Sequence, residues 1–150
     1  MIVFDIDGTL SDPTHRLHLI RQGPNKHDWP KSKKWPDFFA AAKDDSPIPE
    51  IVQLAQDLGT ITPIEFWTGR PDSIRVDTLE WLRQHIHPEI QNKSLKMRRA
   101  GDYRPDTEVK LEILEQHEST PAVIFEDRFR VVDAYRAAGI RVLHVAKGDY

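Results

Sequence analysis

The chain has 150 residues, a net charge of −3 and no cysteine, and 39% of its residues are hydrophobic. This length and composition suit one globular domain, and they exclude a disordered chain, disulfides and zinc–thiolate or thiol chemistry. No apolar run approaches the roughly 20 residues that cross a bilayer, and no signal sequence is recognisable, so we expect a cytoplasmic protein without membrane contact.

Four short apolar runs predict buried parallel strands, because they lack the alternating polar residues of a half-exposed strand. Leu95–Met97 is a candidate for a further short strand. Helical patterns lie between the runs, and this alternation predicts an α/β fold with a doubly wound, mostly parallel, Rossmann-like sheet, formed by residues 1–150 as a single domain. The four predicted strands are Ile2–Phe4, Ile64–Trp67, Ala122–Phe125 and Val142–Val145.

Apolar residues at helical spacing predict four helices. In the second helix, Val76, Leu79, Leu82 and Ile86 are predicted to share one buried face. Asp106 is the predicted N-cap of the third helix. The four predicted helices are Pro49–Leu58, Asp72–Ile86, a helix from Asp106 that carries Val109, Ile113 and Leu114, and Phe129–Ala138.

The stretch 11–47 is too long for a simple connection between a strand and a helix. It mixes aromatic with basic residues, and we interpret it as a small cap inserted after the first strand. The aromatic residues are expected to form the core of the cap, and the alternative is that one or two of them contact a nucleobase. A second basic stretch, 92–105, offers Arg98, Arg99 and Arg104 for substrate contact. The cap residues concerned are Trp29, Trp35, Phe38, Phe39, Arg16, Arg21, Lys26, Lys31, Lys33 and Lys34.

Acidic and hydroxyl residues directly follow three of the predicted strands. Asp5 and Asp7 follow the first strand, Thr68 the second, and Glu126–Asp127 the third. The carboxyl ends of parallel strands meet at one edge of a sheet, so we expect these side chains to lie close together. Two like charges about 4 Å apart repel by roughly 4 kcal/mol at an effective dielectric constant of 20. The cluster therefore requires a counter-charge, and its oxygen ligands favour Mg²⁺.

These groups are the parts that phosphoryl transfer needs. Asp5 can attack phosphorus as a nucleophile and form an acyl phosphate. Asp7 can protonate the leaving oxygen and then deprotonate the attacking water. Mg²⁺ and Lys110 can neutralise the phosphate while Thr68 orients it. The pattern predicts a Mg²⁺-dependent phosphomonoesterase with a phosphoaspartate intermediate.

Four segments, in order, resemble the motifs of the haloacid dehalogenase superfamily. Asp5-Ile6-Asp7-Gly8-Thr9-Leu10 resembles the first motif and Phe66-Trp67-Thr68-Gly69-Arg70 the second. Lys110 resembles the third and Glu126-Asp127 the fourth, so the resemblance covers nearly the whole chain. An aspartate two residues after the nucleophile is what phosphatases of this superfamily carry, which implies phosphate ester hydrolysis.

The same resemblance implies a ligand set for the metal and contacts for the substrate. Mg²⁺ is expected at the Asp5 carboxylate, the Asp7 main-chain carbonyl and Asp127, with Glu126 as a candidate that acts through water. The residues expected to contact the substrate are Thr9, Gly69, Arg70 and Arg104.

A narrower resemblance concerns the substrate. The segments 68–70, 104–110, 126–128 and 146–150 are similar to the 3′-phosphatase domains of bacteriophage-type polynucleotide kinase/phosphatases. This implies DNA or RNA 3′-phosphate ends, or nucleotides, as substrates. The sequence has no Gly-x-x-x-x-Gly-Lys-Ser/Thr motif, so we expect a phosphatase without an attached kinase.

Two alternatives stay open at this point. One is a phosphatase of small molecules, either nucleoside monophosphates or sugar phosphates. The other is a non-catalytic module that binds phosphate or nucleic acid. The pair of Asp5 and Asp7 argues against the second alternative, because binding alone needs no nucleophile with an acid beside it.

Overall fold

The computed structural model describes residues 1–21 and 33–148, so Lys26, Trp29 and Lys31 of the predicted cap lie outside the described residues, as do the last two residues of the 146–150 segment. The strands are β1 (Ile2–Phe4), β2 (Ser11–Asp12), β3 (Ser46–Pro47), β4 (Ile64–Pro71), β5 (Leu95–Arg98), β6 (Val123–Glu126) and β7 (Val142–His144). The α-helices are α1 (Trp35–Ala40), α2 (Pro49–Gly59), α3 (Arg75–His85), α4 (Asp106–Gln116) and α5 (Phe129–Ala137).

Five strands form one parallel sheet in the order β5-β4-β1-β6-β7. β1 lies at the centre, with β4 on one side and β6 on the other. Helices cover both faces of this sheet, so the predicted doubly wound α/β fold is confirmed, including the short strand β5. The central position of β1 brings the residues that follow β4 and β6 to the two sides of Asp5.

The second predicted strand ends later than expected. β4 continues through Thr68, Gly69 and Arg70 to Pro71, because it pairs with β5 as far as Arg98. The register shifts between Thr68 and Pro71. Thr68 and Gly69 therefore lie within an irregular strand end, and a paired strand holds them in place more firmly than a free loop would.

Two predictions about helices are wrong in detail. A 3₁₀ turn at Asp72–Ile74 precedes α3, and the buried face of α3 includes Trp81 and Leu82, whereas Val76 is 69% exposed. The helical repeat turns Val76 away from that face. Asp106 is not an N-cap, because α4 starts at Asp106 itself and no side chain caps the helix.

Residues 11–47, which we call the insert, lie between β1 and α2. The insert begins on β2 and ends on β3, and these two strands pair antiparallel with Ser11 opposite Pro47. Between them lie a 3₁₀ helix at Thr14–Leu19, α1 and a 3₁₀ helix at Ala41–Asp44. Its role as a cap stays a prediction.

The core has one layer on each face of the sheet. Phe4 and Phe66 pack with α2 and α3 on one face, and Val3 and Trp67 pack with α5 on the other. Successive strand residues point to opposite faces, which explains this division. Fully burying one large apolar side chain contributes about 1.5–3 kcal/mol. None of the described helices has the length and apolar character needed to span a membrane.

Candidate active site

The carboxyl ends of β1 and β4, together with the start of α4, form the floor of a cavity of about 600 Å³. Asp5, Asp7, Thr68, Gly69 and Lys110 line this floor. One wall belongs to the insert and includes Trp35, Pro36, Phe38 and Phe39. A second wall includes Arg98, Arg104, Arg128 and the loop residues between β5 and α4.

A buried acidic cluster lies at the end of β1 and β6. Asp5, Glu126 and Asp127 each offer a carboxylate oxygen, and these oxygens lie within 4.8 Å of one another. Burial raises the pKa of Asp5 well above its ordinary value, and the charge of Glu126 adds to this effect. Burial and Glu126 also raise the pKa of Asp127 to about 7. The carboxylates of Asp5 and Asp127 are therefore costly to ionise without a cation.

The chemistry of this cluster fits Mg²⁺. Both carboxylate oxygens of Asp127 are buried, and within the described part of the chain neither receives a hydrogen bond. Burying an unpaired charge is costly, and proteins meet that cost by pairing the charge or by coordinating a metal. Mg²⁺ is bound through one or two carboxylates with other oxygen ligands. Asp5 and Asp127 fit this requirement, with Glu126 beside them.

Lys110 supplies a fixed positive charge to the same cluster. Its Nζ lies 2.8 Å from Oδ1 of Asp5, 2.6 Å from Oε2 of Glu126 and 3.6 Å from Oδ2 of Asp106. Burial lowers the pKa of Lys110, but Asp5 and Glu126 outweigh it, so the pKa lies well above its ordinary value. Lys110 is therefore a permanent cation between Asp5 and Glu126.

The carboxylate of Asp7 lies apart from the acidic cluster and binds two arginines. Its Oδ1 accepts hydrogen bonds from Nη2 of Arg16 at 2.7 Å, from Nε and Nη2 of Arg70 at 2.9 and 2.5 Å, and from Oγ of Ser11 at 3.2 Å. Burial raises the pKa of Asp7, but Arg70 and Arg16 lower it by more, so the pKa lies well below its ordinary value. All of these bonds end on Oδ1 and none of them on Oδ2.

Asp45 joins the same arginines from the insert. Its Oδ1 accepts from Nε of Arg16 at 2.7 Å, and its Oδ2 accepts from Nη2 of Arg16 at 2.7 Å and Nη2 of Arg70 at 2.8 Å. Nε2 of His15 lies 2.9 Å from Oδ1. The side chains of Asp45, Arg16 and Arg70 are fully buried. Two carboxylates and two guanidinium groups thus form a charge-balanced network behind the cavity, which we call the Asp7 network.

The insert packs directly on this network. The guanidinium of Arg16 lies 4.1 Å from the ring centroid of Phe38, and its Nη1 donates to the main-chain oxygen of Phe38 at 3.3 Å. The main-chain oxygen of Asp45 accepts from Nε1 of Trp81 at 2.8 Å. The Asp7 network therefore connects the insert to α3.

The four residues expected to contact the substrate occupy different positions. Gly69 lines the floor, and a Cβ at this position would collide with the carboxylate of Asp106. Arg104 lines the rim, where it pairs with Asp102 and Glu112. Arg70 and Thr9 are buried and do not line the cavity. Arg70 lies behind Asp7 because two buried carboxylates bind its guanidinium.

Sequence reasoning missed Asp45, and it gave Arg16 and Asp106 other roles. The carboxylate of Asp106 pairs with Lys110, with Nη2 of Arg98 at 3.3 Å and with Nη1 of Arg128 at 3.4 Å. Its spacing of four residues from Lys110 was the available signal, because such residues share a helix face. No comparable pattern marks Asp45. Of the three arginines expected near the substrate, Arg98 lines the cavity and Arg99 does not.

The backbone after β6 is covered by the segment that follows β7. The amide of Gly148 donates to the main-chain oxygen of Asp127 at 2.9 Å, and Nε2 of His144 lies 2.6 Å from the same oxygen. A Cβ at Gly148 would overlap Oδ2 of Asp127. Gly148 thus permits a close approach that covers the predicted metal ligand.

Comparison with known proteins identifies the family. The sequence profile of the polynucleotide kinase PNKP phosphatase domain matches residues 1–150, which is the whole chain. The chain belongs to this family. Membership in this phosphatase family of the haloacid dehalogenase superfamily confirms the predicted enzyme class, a phosphomonoesterase. Comparison with curated proteins gave no match.

Solved structures share the fold of this PNKP-type domain. A chain of the Pnkp1/Rnl/Hen1 RNA repair complex aligns with a TM-score of 0.70 and 21% identity over 99% of this chain and 43% of its own length. A haloacid dehalogenase-like hydrolase from Streptococcus pneumoniae aligns with a TM-score of 0.65 and 18% identity, over 95% of this chain and 82% of its own length. A class C acid phosphatase from Bacillus anthracis aligns with a TM-score of 0.59 and 15% identity, over 99% of this chain and 67% of its own length. The chain thus spans less than half of the repair-complex chain that it resembles.

Proposed function

We propose that this phosphatase is Mg²⁺-dependent, works through a phosphoaspartate on Asp5 and removes phosphate from the 3′ ends of DNA or RNA strands or from nucleotides. The observation that carries the proposal is the buried group of Asp5, Glu126 and Asp127, beneath a cavity whose floor also presents Asp7 and Lys110. These are a nucleophile, a proton carrier, a fixed cation and an oxygen-rich site for a metal.

In the first step, a carboxylate oxygen of Asp5 attacks phosphorus in line. The bond from phosphorus to the ester oxygen breaks, and the leaving oxygen takes a proton from Asp7. Lys110 lies 2.8 Å from Oδ1 of Asp5, and it balances negative charge without itself giving up a proton, because its pKa is raised. Fixed charges of this kind lower the barrier because they need no reorganisation during the reaction.

In the second step, Asp7 takes a proton from water, which attacks phosphorus and releases Asp5. The low pKa of Asp7 in the free enzyme favours the carboxylate that this step needs. For the first step, Asp7 has to carry a proton, and Oδ2 is the oxygen that the arginines leave available for it. Proton transfer by a positioned side chain typically contributes about 10²- to 10⁴-fold in rate.

The metal would be held by the carboxylates of Asp5 and Asp127, with the main-chain carbonyl of Asp7 and with Glu126 acting through water. When bound, Mg²⁺ supplies positive charge that neutralises the transferring phosphate. Thr68 lies on the floor of the cavity, where its hydroxyl can orient the phosphate.

The walls of the cavity support a nucleotide-type substrate. Arg98, Arg104 and Arg128 line one wall and Lys33 the other, so phosphate groups beyond the reacting one meet positive charge. Trp35 and its aromatic neighbours offer flat surfaces for a base. A fold neighbour is part of an RNA repair complex, which fits a strand end as the substrate. The volume of about 600 Å³ also admits a free nucleotide.

A comparison of substrates tests this proposal. Rates would be measured with Mg²⁺ and with excess chelator on a 3′-phosphorylated oligonucleotide, on nucleoside monophosphates and on sugar phosphates. We expect the oligonucleotide or the nucleotides to be preferred, and Mg²⁺ to be required. Acid-quenched protein should carry label from a ³²P substrate, and Asp5→Asn should not. Equal rates on all substrates would contradict the proposed preference for nucleic-acid ends or nucleotides. Full activity in excess chelator would contradict the proposed requirement for Mg²⁺.

A further inference from the structure

Tyr103 combines unusual exposure with a position on the wall of the cavity. Its side chain is 92% exposed, more than the other exposed large apolar or aromatic side chains of the described residues. It lies in the loop between β5 and α4, and it lines the cavity. A single exposed aromatic ring is ordinary on a protein surface. Tyr103 differs from such a ring because hydrogen bonds hold its loop in place and because a second group of aromatic residues lines the same cavity.

The loop that carries Tyr103 is fixed to the floor of the active site. Nη1 of Arg98 donates to the main-chain oxygens of Asp102 at 3.2 Å and Arg104 at 2.7 Å. Oδ1 of Asp102 accepts from the amide of Arg104 at 2.9 Å. Nε of Arg98 donates to the main-chain oxygen of Gly69 at 2.9 Å. Arg98 thus ties the backbone on both sides of Tyr103 to the end of β4, on the cavity floor where the phosphate is expected to bind.

The insert presents a second aromatic surface to the same cavity. The ring of Trp35 is stacked with that of Phe39, with centroids 5.7 Å apart and planes 21° apart. Nζ of Lys33 lies 5.2 Å from the centroid of the Trp35 ring. Trp35 is 36% exposed, so part of its surface faces solvent at the cavity. This wall pairs an aromatic surface with a positive charge.

We propose that Tyr103 and Trp35 form a stacking subsite for the nucleobase of the nucleotide whose 3′-phosphate is removed. This inference rests on the proposed function and specifies which part of the substrate the cavity walls recognise. The floor takes the phosphate, and a nucleotide is a phosphate ester that also carries a flat aromatic ring. Stacking is tolerant of sequence, because every base has a π face. A fixed loop favours it, since less conformational entropy is lost on binding.

The first test measures binding in Asp5→Asn protein, which retains the whole chain but lacks the nucleophile. A 3′-phosphorylated strand with 2-aminopurine as its last base is titrated with this protein in Mg²⁺, and stacking is expected to quench the fluorescence. Tyr103→Leu, added to Asp5→Asn, should weaken binding about 5- to 150-fold, the range for one stacked base. Tyr103→Phe keeps the ring and should bind as tightly as the parent. The exposure of Tyr103 makes both variants foldable.

The second test uses catalysis by the otherwise wild-type chain. The quantity compared is the ratio of kcat/KM for a strand with a 3′-terminal base to that for the same strand with an abasic 3′-terminal nucleotide. Tyr103→Leu should lower this ratio about 5- to 150-fold, and Tyr103→Phe should retain it. An unchanged ratio, or an absence of quenching in the first test, would overturn the subsite. If the wild-type protein hydrolyses neither strand, the proposed function fails, and the titration still decides the subsite.

Discussion

The guanidinium of Arg70 donates two hydrogen bonds to Oδ1 of Asp7, from Nε at 2.9 Å and from Nη2 at 2.5 Å. The same Nη2 also lies 2.8 Å from Oδ2 of Asp45. Arg70 is therefore bound on two sides by buried carboxylates and has no open side toward the cavity. We infer that it acts on the substrate only through Asp7.

Removing Arg70 should destabilise the fold. Arg70→Met leaves the buried carboxylate of Asp45 and the partly exposed carboxylate of Asp7 with one guanidinium. Breaking a buried ion pair typically costs about 3–5 kcal/mol. The free energy of unfolding is measured by urea titration at neutral pH. Arg104→Met is the matched control, because its ion pairs are exposed and screened by solvent, so it should leave the stability nearly unchanged. Equal losses in the two variants would contradict the buried network.

Asp7 and Asp127 should separate proton transfer from metal binding. Asp7→Asn removes the proton carrier, so kcat should fall about 10²- to 10⁴-fold. Its affinity for Mg²⁺ should change little, because the carboxylate binds arginines rather than the acidic cluster. Asp127→Asn should weaken Mg²⁺ binding instead. Isothermal titration with Mg²⁺ checks both, and a large loss of affinity in Asp7→Asn would place its carboxylate among the ligands.

Stability should depend on pH differently with and without metal. The pKa of Asp127 is raised from 3.8 to about 7 in the folded protein. Between these two pKa values the folded state binds more protons than the unfolded state, so protonation of Asp127 stabilises the fold. This stabilisation is fully present below the unfolded pKa and is lost as pH rises through the folded pKa. Mg²⁺ takes the place of the proton, and its stabilising effect should grow across the same range.

The measurement is the melting temperature in saturating Mg²⁺ minus that in chelator, taken from pH 4 to pH 8. Taking this difference removes the effect that carboxylates far from the metal have on the melting temperature. One of these is Asp102, whose hydrogen bonds to Arg104 lower its pKa to about 2. Asp127→Asn should flatten the difference. A difference that falls as pH rises would show that Asp127 does not exchange its proton for the metal.

Gly148 should affect metal binding although it carries no side chain. A methyl group in Gly148→Ala would overlap Oδ2 of Asp127, so the carboxylate has to move. Changes beside a metal ligand typically reduce affinity about 10- to 100-fold. Titration with Mg²⁺ or with paramagnetic Mn²⁺ measures the loss, and Lys147→Ala in the same segment is the control. Unchanged Mg²⁺ affinity in Gly148→Ala would mean that the segment after β7 moves and the carboxylate of Asp127 keeps its position.

The sequence predicts the sheet and the acidic cluster well, because both depend on local patterns. An uninterrupted apolar run such as Ile2–Phe4 indicates a strand buried on both faces, and the residue after it falls at the carboxyl edge. Asp5, Glu126 and Asp127 are therefore brought together by the strand order alone. The confirmed fold follows from the same rule.

The Asp7 network could not be predicted in this way. Asp45 lies 29 residues from Arg16 and 25 from Arg70, and no periodic pattern links them. Their contact depends on the path of the insert, which composition does not fix. The resemblance of Thr68-Gly69-Arg70 to the second motif gave Arg70 as a substrate contact. In the structure its guanidinium binds Asp7 and Asp45, and the position of Asp45 depends on the path of the insert.

The contact between Arg16 and Phe38 limits how this enzyme can be altered. Exchanging the insert for that of another phosphatase, to change which molecules are accepted, would remove Arg16, which binds Asp7, and Asp45, which binds Arg16. Under the proposed function, substrate range and proton delivery would both depend on this one stretch of chain. A chimera that keeps Arg16, Phe38 and Asp45 should retain turnover. A chimera in which the whole insert is replaced should fold its sheet but lose activity.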